Sequence, residues 1–178
     1  VEVDTVTHEM LEDNVGYISV SQFDIITAEQ FKRAVDDLEK QGMEKLIIDL
    51  RSNPGGVLDS VVSMLDYILP DDLTVEGDKD LVRTKQDKTL LVYMADKNGR
   101  GKQYYCSDGH SVDLTIAVLV NGDSASASEV FSGAMKDYGK ATLVGTTTFG
   151  KGIVQTIIPL DNGTAIKMTT AHYYTPVG

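Results

Sequence analysis

Apolar and polar positions along this chain of 178 residues change period several times, and each change marks an element. The stretch "VGYISV" (15–20) alternates apolar and polar residues, the period of a strand with one buried face. Thr27 and Gln30 have capping-box spacing and open a predicted helix running to about Lys40, with Phe31, Ala34, Val35 and Leu38 on one face and Gly42 at its stop. "KLIIDLR" (45–51) is too apolar for a half-exposed strand and predicts a buried, parallel one. Beyond the loop "SNPGG", Leu58, Val61, Val62, Leu65 and Ile68 recur at helical spacing until Pro70 ends the second helix.

From Asp71 to Asp113 the pattern turns polar and charged, with "LVRTK" and "LLVYMAD" as predicted hairpin strands around "DK" and "KNGRGK" turns. This stretch reads as an accessory excursion within one domain. "TIAVLVN" (115–121) is another buried strand, and the serine-rich segment after it opens a third helix to about Tyr138, with Gly139 as its cap. "ATLVG" is the next strand. "GIVQTIIPL" and "TAIKMTTAHYY" close the chain as a hairpin around "DNG". Strands alternating with crossover helices predict an α/β fold with a largely parallel sheet and an antiparallel addition.

Composition narrows the function classes. Sixteen Lys and Arg against 27 Asp and Glu leave a net charge of −11, dispersed along the chain, which argues against nucleic acid or an anionic membrane surface as partner. One cysteine, Cys106, and three scattered histidines make no metal-ligand pattern, so neither a metal nor a cofactor is expected. The chain begins and ends inside patterned sequence, as an excised fragment would.

The chemistry concentrates in "NGDSASASEVFSGAMKDYG" (121–139), where Ser124, Ser126 and Ser128 lie between a buried strand and a helix. Open α/β sheets place their ligand crevices there, and unpaired N–H groups at a helix start favour developing negative charge. Any one of these serines alone also reads as a helix cap. A serine nucleophile needs a base, and none of the histidines has a motif around it, although a triad through His172 is a further reading. Lys151 in "TFGKGIVQ" is flanked by Gly150 and Gly152, and a lysine in a desolvated pocket loses charge stabilisation until its amine can act as a base. "RSNPGG" supplies Gly55 and Gly56, whose backbone N–H groups can face a cleft.

In their order and spacing, "VGYISVSQF", "LIIDLRSNPGG", "VLVNGDSASASEVFSGAMKDYG", "LVGTTTFGKGIVQ" and "YYTPVG" resemble the tail-specific, or carboxyl-terminal-processing, serine peptidase family over nearly the whole chain. The resemblance implies that the middle serine, Ser126, is the nucleophile, Lys151 the base 25 positions later, and Gln155 the residue that orients it. It pairs the N–H of Ala127 with that of Gly55 or Gly56 as the oxyanion hole. It implies a crotonase-like (ClpP/crotonase-type) α/β core of stacked β-β-α units with an accessory hairpin. Residues 1–178 would be a single catalytic core without the family's PDZ module and C-terminal extension. The expected partners are protein or peptide substrates bound by their C-terminal region, together with that PDZ module. The expected setting is exported, periplasmic or extracellular, with a membrane anchor open to the parent. The rival reading is a latent or non-catalytic peptide-binding scaffold on the same fold.

Overall fold

A computed structural model describes residues 3–74, 88–107 and 109–178 of the protein. Its strands form two sheets. In the first, β1 (Val6–Leu11), β2 (Val15–Val20), β3 (Lys45–Asp49), β6 (Thr115–Val120) and β7 (Thr142–Gly145) lie side by side in that order. β1 runs antiparallel to β2, and all other pairs are parallel. In the second, the order is β5 (Gln103–Tyr105), β4 (Leu90–Ala95), β9 (Ala165–Tyr174), β8 (Ile153–Pro159), and every pair is antiparallel.

The helices are α1 (Thr27–Lys40), α2 (Leu58–Ile68) and α3 (Ala127–Asp137). The expected face of α1 is the buried one: Phe31, Ala34, Val35 and Leu38 are at most 1% exposed. Fully burying side chains of this size contributes roughly 1.5–3 kcal/mol each for the larger ones. α1 lies against β1 and β2, α3 against β7, and both α2 and α3 against β4. In β3, Leu46 and Ile48 are buried while Ile47 is only half-buried, so one face of the parallel sheet is sealed and the other partly open.

Three expectations are corrected. The Thr27/Gln30 capping box does not form: Gln30 Oε1 instead accepts the N–H groups of Thr5 (2.9 Å) and Val6 (3.3 Å), and Thr27 Oγ1 accepts the N–H of Asp24 (2.7 Å). The same glutamine thus anchors β1, a strand that sequence reading left out. β1 is an edge strand with mostly exposed side chains, so it has no alternation to read. The third concerns the excursion from 71 to 113. Its apolar centre is β4, whose Leu91 and Val92 are fully buried in the main core and whose Tyr93 stacks on Tyr174 at 4.9 Å. The predicted strand "LVRTK" lies outside the described residues.

Candidate active site

β3 and β6 are neighbours, and their C-terminal ends release two loops that bond to each other. Asn53, fully buried, is central to the first. Its carbonyl accepts the Ala125 N–H and the Ser128 hydroxyl, both at 3.0 Å, while its side chain donates to the Val20 carbonyl (2.8 Å) and accepts the Gly55 N–H (2.9 Å). The end of β3 is pinned by Asp49, which accepts Arg51 through two guanidinium nitrogens (2.6 and 3.0 Å) and the Tyr17 hydroxyl (2.6 Å). Burial pushes the Asp49 carboxyl up, but these donors outweigh it and hold the group below the usual carboxylate range.

The three serines separate by environment. Ser124 and Ser128 are fully buried, and their hydroxyls donate to the Leu50 carbonyl (2.7 Å) and the Asn53 carbonyl (3.0 Å). They tie loops together. Ser126 is half-buried, caps α3 and has φ 55°, ψ −112°, a left-handed conformation that costs a non-glycine residue about 1–3 kcal/mol and commonly marks function. Its neighbour Gly55, at φ 97°, lies so close that an added Cβ would sit 2.7 Å from Ser126 Cβ and 2.6 Å from the Ala125 carbonyl oxygen. Only glycine fits there.

Gly55 and Gly56 are also distinguished. The N–H of Gly55 is taken by Asn53 and its carbonyl by Phe23 N–H (2.9 Å), whereas the N–H groups of Gly56 and Ala127 have no hydrogen-bond partner among the described residues. One unpaired donor thus directly follows Ser126 in the chain, and the other directly follows the glycine packed against Ser126.

Lys151 arrives from the loop between β7 and β8. It lines a cavity of about 280 Å³ together with Ser126, Glu129, Val130, Tyr173, Tyr174, Thr175, Gly150 and Gly152. Burial raises the Tyr173 hydroxyl above its ordinary value, so it stays neutral and can only donate or accept a hydrogen bond. The Lys151 side-chain nitrogen has no hydrogen-bond or ion-pair partner among the described residues. Gln155 is not in this cavity. It is exposed on β8 just past a bulge between Val154 and Gln155, and such a bulge breaks the alternation that would put residues 151, 153 and 155 on one face.

No histidine lines the cavity. His8 bonds Asp37 (2.9 Å), His110 stacks on Tyr67 (3.9 Å), and His172 lies on a separate groove of about 780 Å³ beside Ala95 and Asp96. Among the described residues no group of three or more His, Cys, Asp or Glu is placed to hold a metal.

Sequence reading missed Glu129. Its carboxylate accepts the Ser126 N–H and the Lys151 N–H on Oε2, both at 2.8 Å, and the Thr148 hydroxyl (2.9 Å) and Gly150 N–H (2.6 Å) on Oε1. The Ser126-to-Glu129 interval is capping-box spacing, a signal that was legible. Asn53 was missed too, and nothing in "SNPGG" distinguishes it from an ordinary turn residue.

CtpB, a carboxy-terminal processing protease of Bacillus subtilis, is 38% identical over 165 residues, covering 93% of this chain and 31% of that protein. A carboxyl-terminal-processing protease of Synechocystis is 36% identical over 163 residues, covering 92% of this chain and 34% of that protein. Among solved structures, a photosystem II D1 C-terminal processing protease superposes with a TM-score of 0.81 at 30% identity over 100% of this chain and 45% of its own. The chain spans about a third of the length of these curated relatives. Matched from residue 14 to residue 178, the chain belongs to peptidase family S41.

Proposed function

We propose that this chain is the catalytic core of a serine endopeptidase that cuts protein substrates near their C-termini through a Ser126/Lys151 dyad on a crotonase-like fold. One observation carries the reading: Ser126 and Lys151, on separate loops 25 positions apart, line the same cavity at the start of α3. Ser126 Oγ attacks the scissile carbonyl carbon while Lys151 Nζ takes its proton. The oxyanion forms against the N–H groups of Ala127, next to Ser126 in the chain, and of Gly56, next to the glycine packed on Ser126, both without a hydrogen-bond partner among the described residues. Lys151 then returns the proton to the departing amine, and water, deprotonated by the once more neutral Lys151 Nζ, releases the acyl group from Ser126 Oγ. The resemblance gives Gln155 the task of orienting Lys151, which requires the strand past the bulge to turn that side chain inward. A PDZ module in a longer parent, and an exported setting, belong to the same proposal.

The exposed position of Gln155 favours one second reading, a latent scaffold whose base is not held in working geometry. Labelling with a serine-directed phosphonate separates the two. A label that appears on the wild-type chain and is lost in Ser126→Ala supports the dyad. An unlabelled wild-type chain supports latency, and a label that survives Ser126→Ala overturns the assignment of the nucleophile.

A further inference from the structure

Ser126 and Lys151 reach their cavity on two separate loops, and a single carboxylate holds both. Glu129, in the first turn of α3, accepts the backbone N–H of Ser126 and of Lys151 on the same oxygen, each at 2.8 Å. Its other oxygen accepts Gly150 N–H at 2.6 Å and the Thr148 hydroxyl at 2.9 Å. Around the lysine, the loop from Thr146 to Gly152 is otherwise tied by Thr146 N–H to Val120 (3.3 Å), Phe149 N–H to Ser124 (3.0 Å) and the Gly152 carbonyl to Tyr173 (2.8 Å). We propose that Glu129 is a positioning residue for the reaction: it sets the approach of Lys151 to Ser126 without touching substrate. The inference rests on the Ser126/Lys151 reading and extends it.

The chemistry selects this side chain. An ionised carboxylate only accepts, and its two oxygens together take four donors, so four N–H and O–H groups can converge without conflict. Charge-assisted bonds of this kind are shorter and stronger than neutral ones. A glutamine in the same place would set an NH₂ group against two of those donors, and an aspartate is one methylene too short to span both loops. The carboxylate also holds the Ser126 N–H while that residue keeps its positive φ of 55°. Because it bonds the backbone of Lys151 and makes no ion pair with the side chain within 4.0 Å, it orders the lysine without capturing the ammonium. The titratable groups around the cavity are Glu129, Lys151, Tyr173 and Tyr174.

The test is the pH–rate profile of peptide hydrolysis by the wild-type chain and by Glu129→Gln, Thr148→Val and Lys151→Ala. Glu129→Gln is expected to lower kcat by about 100-fold with KM within about twofold, the cost of a misplacement near 1 Å. The rising limb of its profile should move to higher pH, because a loosened Lys151 stands in more water and serves less readily as a base. Thr148→Val removes one of the four bonds, and a smaller loss of about 3- to 10-fold with a shift in the same direction is expected. Should Glu129→Gln fail to fold, as circular dichroism would report, Thr148→Val carries the same test. Loss of kcat by one constant factor at every pH, with no shift in either variant, would mean a diluted folded fraction and overturns the positioning role. If Lys151→Ala is inactive and the profiles are unshifted, only this inference falls; if Lys151→Ala keeps full activity, the dyad falls and takes it along.

Discussion

In β6 and α3, which flank Ser126, Val118, Phe131 and Ala134 are completely buried, whereas in the β8–β9 hairpin that follows Lys151 every residue from 155 to 170 is exposed. Ser126 is seated on the packed body of the molecule, and Lys151 precedes an arm that the described residues leave uncovered. Burial explains the contrast in rigidity. A residue packed on all sides moves only if its neighbours move, while a two-stranded hairpin with both faces in water is marginally stable by itself. The site therefore joins a rigid half, with the Asn53 hydrogen bonds and the buried Ser124 and Ser128 hydroxyls, to a half whose position depends on a few hydrogen bonds.

The contrast is tested first at Ser126, the proposed nucleophile. Ser126→Ala should lower peptide hydrolysis by about 10⁴-fold or more, as removing a serine nucleophile does elsewhere. Ser124→Ala and Ser128→Ala each remove one of two hydrogen bonds to a buried carbonyl, costing about 0.5–1.5 kcal/mol of stability while the remaining folded enzyme turns over. Hydrolysis rates normalised to folded fraction check this, and equal losses in all three variants would remove the distinction between a reacting serine and two that tie the loops.

Next in size is the body itself. Leu91→Ala in β4 should cost about 2–5 kcal/mol in urea unfolding, as deletions in a packed core do. A loss under about 0.5 kcal/mol, the usual range for surface substitutions, would return β4 to the status of an accessory strand.

A smaller effect is expected at the end of β3. The Asp49 carboxyl is held below its ordinary value, so the stability it contributes is complete above the unfolded carboxyl value of about 3.9 and is lost as pH falls through the lower folded value. Asp49→Asn should flatten that acid limb in unfolding titrations and cost about 1–3 kcal/mol at neutral pH, typical of a lost charged hydrogen-bond partner. An acid limb identical to wild type would show that Arg51 and Tyr17 do not need the charge. The smallest effect belongs to the arm: Ile157→Ser, at a position 67% exposed, should change stability by no more than about 0.5 kcal/mol. A larger loss in this chain would mean the hairpin is packed in solution and that the contrast of the two halves is overdrawn.

Local patterning made the three helices, the buried face of α1 and the strand–loop–helix unit around Ser126 legible, because a helix or strand stripe is written by residues a few positions apart. Family resemblance, resting on short motifs, singled out Ser126 and Lys151. The choice among serines and glycines in physical terms came only from tertiary structure: Ser124 bonds Leu50 across 74 positions, Ser128 bonds Asn53 across 75, and Gly55 is engaged where Gly56 is not. β1 left no trace in the pattern because an exposed edge strand needs no alternation, and β4 was legible as a strand while its charged flanks hid its place in the core. Glu129 lies between these cases. Its spacing to Ser126 was visible as a helix cap, but its hold on Gly150 and Lys151 spans 21 and 22 positions, and hydrogen-bond partners that distant are decided by how loops pack once the sheet has formed.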